Sequence, residues 1–337
     1  MSEGSAPAGF GERLAHAVRQ RRSVLVAGFD PSWELMPPAL VASLSGDPAQ
    51  RPDGWPQGEL APPSAGWAVA PALWRAAAAV VRWGEEYMEA CAPFAVAVKF
   101  QMACFERLQA PGWAALAHLV GVCRKLGLLA IADGKRGDIE SSSRMYGSAL
   151  FGPVELPGDL QVGGLDADAA TVHPYLGDDT LRALEPWLAR AGRGVFVLVH
   201  TTNPSAARFQ HLPLRDGRDL ADAVADAVSA WNRGLVGPSG YGPVGAVVAA
   251  TYPGEAARLR RRMPGAWLLV PGVGAQGGRT DRLGSLFDGE GLGAVVAASR
   301  SLMGAWMDEP AGDWKQASAA RARTLWESLE RVRAGGE

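Results

Sequence analysis

Residues Leu128–Ile139, LLAIADGKRGDI, place two acids, two bases and two glycines in the six positions Asp133-Gly134-Lys135-Arg136-Gly137-Asp138, directly after the apolar run Leu128–Ala132. Charges this dense at the end of a buried strand form either a solvated turn or an assembled polar site. Glycines permit tight backbone turns, so the charged side chains can converge instead of fanning outward. Gly-Lys-Arg-Gly-Asp is equally good loop chemistry. In the site reading, a lysine flanked by carboxylates stays charged where burial alone would strip its proton, and it can then act as an acid. The choice between turn and site depends on whether other strands in the chain end in the same way.

Seven further short apolar runs do end in polar residues. Val24–Phe29 closes at Asp30-Pro31, Phe94–Val98 at Lys99-Phe100-Gln101, and Ala169–Val172 at His173-Pro174-Tyr175. Val195–Val199 closes at His200-Thr201-Thr202-Asn203-Pro204 and Val244–Ala250 at Thr251-Tyr252-Pro253. Trp267–Val270 closes at Pro271-Gly272, and Gly293–Ala297 at Ser299-Arg300. Helical patterns alternate with these runs, at about 70–91, 112–126, 139–151, 178–191 and 216–234, with an N-terminal helix over 10–22 and a C-terminal one over about 314–333. Near-continuous apolar strands alternating with helices signal a parallel sheet covered on both faces. Eight such units predict a single-domain (β/α)8 TIM barrel spanning 1–337, with its core over about 22–310. The Pro/Gly-rich segment 43–68 reads as an insertion after the first strand. In such a barrel the polar residues that close the strands face a common centre. If strands merely stopped where polar residues begin, the eight ends would share no chemical theme. Here the first three carry Asp30, Lys99 and the Asp133/Lys135/Asp138 cluster, and the last two a glycine loop and an arginine.

The bulk numbers exclude several classes. With 33 basic and 35 acidic residues and a net charge of -2, the chain has neither the footprint of a nucleic-acid binder nor that of an anionic-membrane binder. Cys91, Cys104 and Cys123 are odd in number, widely spaced and set among apolar residues, so they read as buried thiols of a reducing compartment. No apolar run reaches the ~18 residues of a membrane span, and the N-terminus has no signal-type apolar core. A cytoplasmic soluble protein is expected. The histidines form no metal-ligand spacing, and His200 has no evident acid to orient it.

Pro271-Gly272-Val273-Gly274-Ala275-Gln276-Gly277-Gly278 contains a Gly-x-Gly-x-x-Gly pattern, nominally a dinucleotide fingerprint. That fingerprint belongs after the first strand of its unit, with an acid ~20 residues on. This one follows the seventh run, where barrels commonly bind phosphate. Backbone N–H groups freed by Gly274 and Gly277 would face the anion. Gln276 could add an amide donor and Arg300 a bidentate grip. A flexible turn beside a surface arginine is the plainer alternative.

Taken together, these blocks resemble the orotidine 5′-phosphate decarboxylase family, in its longer bacterial form (type 2). Its Asp-x-Lys-x-x-Asp-Ile signature stands as Asp133-Gly134-Lys135-Arg136-Gly137-Asp138-Ile139. Gly28-Phe29-Asp30-Pro31, Val98-Lys99-Phe100-Gln101, His173-Pro174-Tyr175-Leu176-Gly177, Thr202-Asn203-Pro204, Ala250-Thr251-Tyr252-Pro253, the glycine loop and Ser299-Arg300 follow in family order. The resemblance implies cofactor-independent decarboxylation of orotidine 5′-phosphate to UMP, with no metal, in a homodimer with shared active sites. It implies that Asp30 binds the ribose hydroxyls with Lys99 nearby, that Asp133 lies against the substrate carboxylate, and that Lys135 protonates C6. Asp138 and Ile139 would reach into the neighbouring subunit's site, Thr202 would lie beside the pyrimidine, and Gln276 and Arg300 would hold the phosphate with the loop of Gly274, Gly277 and Ser299. Two departures stand out. Ser142 occupies a position usually threonine, and His173 one that is often asparagine.

The chemistry suits these residues. Decarboxylation leaves an electron pair at C6, and a paired ammonium both stabilises it and supplies the proton. An alternating Lys99–Asp133–Lys135–Asp138 array would leave no charge unpaired. The rivals are a related phosphate-binding barrel acting on a sugar phosphate, as a decarboxylase or epimerase, and a catalytically silent nucleotide binder. A metal-dependent rival would need acid pairs, for which only Asp166/Asp168 and Asp178/Asp179 are available, and both read better as loop or N-cap residues.

Overall fold

The computed structural model describes residues 8–42, 44, 71–273, 280–308 and 312–335. Eight strands, β1 Leu25–Phe29, β2 Ala97–Gln101, β3 Leu129–Arg136, β4 Ala169–Val172, β5 Gly194–His200, β6 Val244–Val248, β7 Leu268–Val270 and β8 Ala294–Ala298, close into a barrel in sequential order. Every neighbouring pair is parallel, including β1 with β8. The expected (β/α)8 architecture is therefore present. Its strands are apolar because both faces are covered, and β1, β6 and β8 are buried at every residue.

Helices α1 Phe10–Arg21, α2 Pro71–Cys91, α3 Gln109–Lys125, α4 Glu140–Phe151, α5 Leu220–Trp231, α6 Pro253–Arg262 and α7 Trp314–Arg333 surround or cap the barrel. The first of them closes the N-terminal end. Phe10 stacks edge-on against Phe196, Trp267 Nε1 donates to the Gly11 carbonyl, and Arg13 pairs with Asp168. The last begins at Asp313, whose carboxylate accepts the Lys315 N–H. It ties back to the first helix through the Trp326 indole N–H and the Arg22 carbonyl.

Several boundaries differ from the sequence expectations. Helix 178–191 is broken into Asp178–Arg182 and a π turn at Pro186–Arg190, because Pro186 has no N–H to give to the preceding turn and its ring crowds the carbonyl of Arg182. Between β7 and β8 the described residues form only the 3-10 turns Thr280–Arg282 and Gly284–Leu286. An antiparallel hairpin, Val154–Leu156 with Leu160–Val162, fills the connection before β4, and no alternation in the sequence announced it. The 43–68 insertion lies outside the described residues apart from Leu44.

The most consequential difference lies in the third strand. It does not stop at Ala132 but continues to Arg136, so Asp133 and Lys135 belong to the barrel wall and not to a turn beyond it. Likewise Lys99 and Gln101 lie within β2. Along β3 the pairing advances from Ala132 to Arg136 while β4 advances only from Ala170 to Val172. That bulge puts Lys135 at φ 48°, a left-handed conformation that side-chain-bearing residues rarely adopt.

Candidate active site

Because side chains alternate along a strand, Lys99 and Gln101 of β2 point inward, as do Asp133 of β3 and Thr171 of β4. All four line a cavity of about 560 Å³ at the C-terminal mouth of the barrel, together with Asp30, Lys135, Thr202, Ser299 and Arg300. One wall is charged and comes from the first four strands. The opposite wall is apolar, built from Leu198, Val247, Leu269 and Ala297 of the last four. A flat ring with a polar rim would find both kinds of surface here.

The charges form a continuous chain. Lys99 Nζ donates to Asp133 Oδ2 at 2.7 Å and to Asp30 Oδ1 at 3.4 Å. Lys135 Nζ donates to Asp133 Oδ1 at 2.6 Å. Asp133 also accepts from Gln101 Nε2 at 3.3 Å and from the Thr171 hydroxyl at 2.8 Å, so each of its oxygens takes two donors. Lys99 and Asp133 are only 7% and 5% exposed. Burial works against the charge on Lys99, but Asp30 and Asp133 outweigh it, so its pKa lies above the ordinary lysine value. Burial likewise opposes ionisation of Asp133, and Lys99 and Lys135 more than reverse this, holding its carboxyl far below the usual range. Lys99 and Asp133 are therefore both ionised at neutral pH before any ligand arrives.

Close backbone approach shapes the mouth. A Cβ on Gly28 would collide with Ser299 Oγ, so only glycine lets β8 present Ser299 and Arg300 beside Asp30. Arg300 is exposed at the rim and has no ion-pair partner among the described residues. Gly274, Gln276 and Gly277 fall outside the described residues, although the flanking Pro271, Gly272 and Val273 line the cavity.

Asp138 does not join this ion chain. Its carboxylate accepts the Ile139 N–H, and its carbonyl accepts the hydroxyls of Ser143 and Thr180. The chain that does form is Asp30–Lys99–Asp133–Lys135. Ile139 is 60% exposed and Ser142 half-buried, and neither lines the cavity. His173 packs on Gly137, where a Cβ would strike its ring, which gives that position a packing role.

Sequence reasoning missed three features. Gln101 and Thr171 were not singled out, although a lone hydroxyl at an inward position of an apolar run is a signal. Gln210 clasps Thr201, accepting its N–H at 3.0 Å and donating to its hydroxyl at 2.8 Å. His200 does have an acid behind it. Its Nε2 lies 3.2 Å from His211 Nε2, and His211 Nδ1 lies 3.1 Å from Asp219 Oδ2. Burial, followed by repulsion from His211, pushes the His200 pKa down. His211, Asp219 and Glu255 could together hold a cation, but Arg258 already pairs with both carboxylates. Asp166 and Asp168 pair with Arg13, Arg124 and Arg193 at the opposite end of the barrel. Of the cysteines, Cys91 and Cys123 are buried and Cys104 only partly so. No helix among the described residues is long and apolar enough to cross a membrane.

Comparison with known proteins agrees with this geometry. The model of the orotidine 5′-phosphate decarboxylase / HUMPS family matches residues 84–316. The chain is 37% identical over 294 residues to the orotidine 5′-phosphate decarboxylase of Rhodopirellula baltica, covering 87% of this chain and 88% of that one. It is 32% identical over 320 residues to that of Caldicellulosiruptor saccharolyticus, covering 95% and 97%. Among solved structures it is similar to Leishmania donovani OMP decarboxylase, with 27% identity and a TM-score of 0.64 over 95% of this chain and 98% of that one. The match runs from the second helix through the last strand and takes in the whole Asp133–Asp138 signature, so this chain belongs to the orotidine 5′-phosphate decarboxylase / HUMPS family.

Proposed function

We infer that this chain decarboxylates orotidine 5′-phosphate to UMP, the closing step of UMP synthesis, with Lys135 as the proton donor. The observation that supports this most is the Asp30–Lys99–Asp133–Lys135 chain, buried at Lys99 and Asp133, on the wall of the cavity that also holds Arg300. In the reaction the C6–carboxylate bond breaks, CO2 leaves, and the electron pair stays at C6. The Lys135 ammonium lies beside that carbon, stabilises the pair and transfers a proton to it, then regains one from solvent. Asp133 stands against the substrate carboxylate and loses an unfavourable neighbour when CO2 departs. Asp30 and Lys99 take the ribose hydroxyls, and Thr202 lies along the pyrimidine. Arg300, Gln276 and the loop of Gly274, Gly277 and Ser299 bind the phosphate, whose remote binding energy holds the ring in place. A silent binder would have no use for a paired ammonium aimed into the cavity.

Asp138, Ile139 and Ser142 serve the site of a second subunit in this reading. Exposed Ile139, Met145, Tyr175 and Leu176 beside them supply apolar surface for such a dimer. The test of the reaction is direct. Purified protein incubated with orotidine 5′-phosphate loses the substrate's ultraviolet absorbance and releases CO2 in equal amount, and no change in either would refute the assignment.

A further inference from the structure

Thr171 is buried to 1% exposure, and its hydroxyl makes two bonds of opposite sense. It donates to Asp133 Oδ1 at 2.8 Å and accepts the backbone N–H of Lys135 at 2.9 Å. A hydroxyl has one proton. With that proton committed to the carboxylate, the Lys135 amide must be the donor, so both directions are fixed. The Lys135 residue it holds is the one at φ 48°, inside the bulge where β3 spends four residues against two of β4. A lysine has no intrinsic preference for that conformation, and something outside β3 must hold it there.

We propose that Thr171 is a positioning residue for Lys135. From the neighbouring strand it pins the left-handed turn and the Asp133 carboxylate to one atom, and so sets the direction in which the ammonium meets the reacting carbon. The proposal rests on the decarboxylase reading for its kinetic consequences and on geometry alone for its structural one. Without the hydroxyl the Lys135 amide loses its acceptor, Asp133 keeps three donors instead of four, and the bulge is free to relax. Valine has nearly the same shape and removes only the hydrogen bonds. Serine restores them.

Thr171→Val is expected to lower kcat about ten- to hundredfold, the range for losing a hydrogen bond to a charged group, with KM within about threefold of the parent. The acid limb of its rate profile moves to higher pH, because a carboxylate that loses a donor is easier to protonate. Thr171→Ser recovers most of the turnover and returns the limb to its original place. A role in packing alone would leave that limb in place. A crystal structure of Thr171→Val supplies the arm independent of activity. In it Lys135 leaves the left-handed region and its Nζ moves away from Asp133. Wild-type kcat in Thr171→Val, or an unchanged Lys135 backbone and ion pair in its crystal, overturns the proposal. Failure of the parent protein to turn over orotidine 5′-phosphate would instead count against the function, leaving the crystallographic arm to decide the role of Thr171.

Discussion

Asp133→Asn tests whether the ion chain is as tightly coupled as its burial implies. The substitution keeps the shape of the side chain but replaces one acceptor oxygen with an NH2 group. In the parent four donors converge on two oxygens, from Lys99, Gln101, Lys135 and Thr171. Whichever way the amide turns, one ammonium meets a donor. Lys99 would then depend on Asp30, 3.4 Å away. At the 2.7 Å separation of Lys99 and Asp133, the gross attraction lost is about 6 kcal/mol at an effective dielectric near 20. Relaxation and entering water offset part of it, and removal of one partner from a buried pair typically costs about 3–5 kcal/mol net. For a chain of 337 residues that corresponds to a melting temperature lower by roughly 4–7 °C, measured by circular dichroism at one fixed protein concentration.

The pH dependence follows from the sign of the shift. The folded pKa of Asp133 lies below its unfolded value of about 3.9. Its stabilisation is therefore complete above that value and lost as pH falls toward the folded pKa. The gap between parent and variant should stay constant from about pH 8 to 5 and narrow below about pH 4. A variant that melts within about 1 °C of the parent at pH 7, or a gap that persists undiminished at pH 3, would refute the coupling.

Arg300→Ala should raise KM for orotidine 5′-phosphate about ten- to hundredfold, the range for a charge-assisted hydrogen bond, while leaving melting temperature unchanged because the side chain is exposed and unpaired among the described residues. An unaltered KM would remove Arg300 from the phosphate site. If Asp138 serves a partner's site, then Lys135→Ala and Asp138→Ala proteins, each inactive alone, should regain about a quarter of parent activity after mixing and subunit exchange. Continued inactivity under conditions of proven exchange would place Asp138 outside the shared site.

Much of the barrel was legible because parallel strands covered on both faces must be apolar throughout, and Val24–Phe29 or Ala169–Val172 leave little else to be. The same rule hid the length of the third strand. Asp133 and Lys135 lie inside the barrel mouth, where polar residues are wanted, so a pattern that equates charge with the end of a strand cuts β3 at Ala132. Lys99 and Gln101 were displaced past β2 for the same reason. The residues with the densest chemistry, Lys99, Asp133 and Lys135, were found because charge beside an apolar run is conspicuous. Thr171 was not, since a single hydroxyl in a four-residue strand resembles ordinary β-branched packing. His200, His211 and Asp219 meet only because the chain after β5 doubles back through the short helix Ala207–Gln210, and no periodicity encodes that return. Asp138 stands apart from the ion chain because the bulge and the start of α4 carry it away from that wall, and the place the family resemblance implies for it, in a neighbouring subunit's site, is the one proposed above.

The most direct test of the central claim is the turnover of Lys135→Ala, with its affinity for UMP measured by calorimetry on the same preparation. Loss of the paired ammonium should lower decarboxylation of orotidine 5′-phosphate by at least about a thousandfold, within the span attributed to a positioned general acid, while UMP binds within a few-fold of the parent. Decarboxylation within tenfold of the parent rate would contradict the assignment of Lys135 as the group that stabilises and protonates C6.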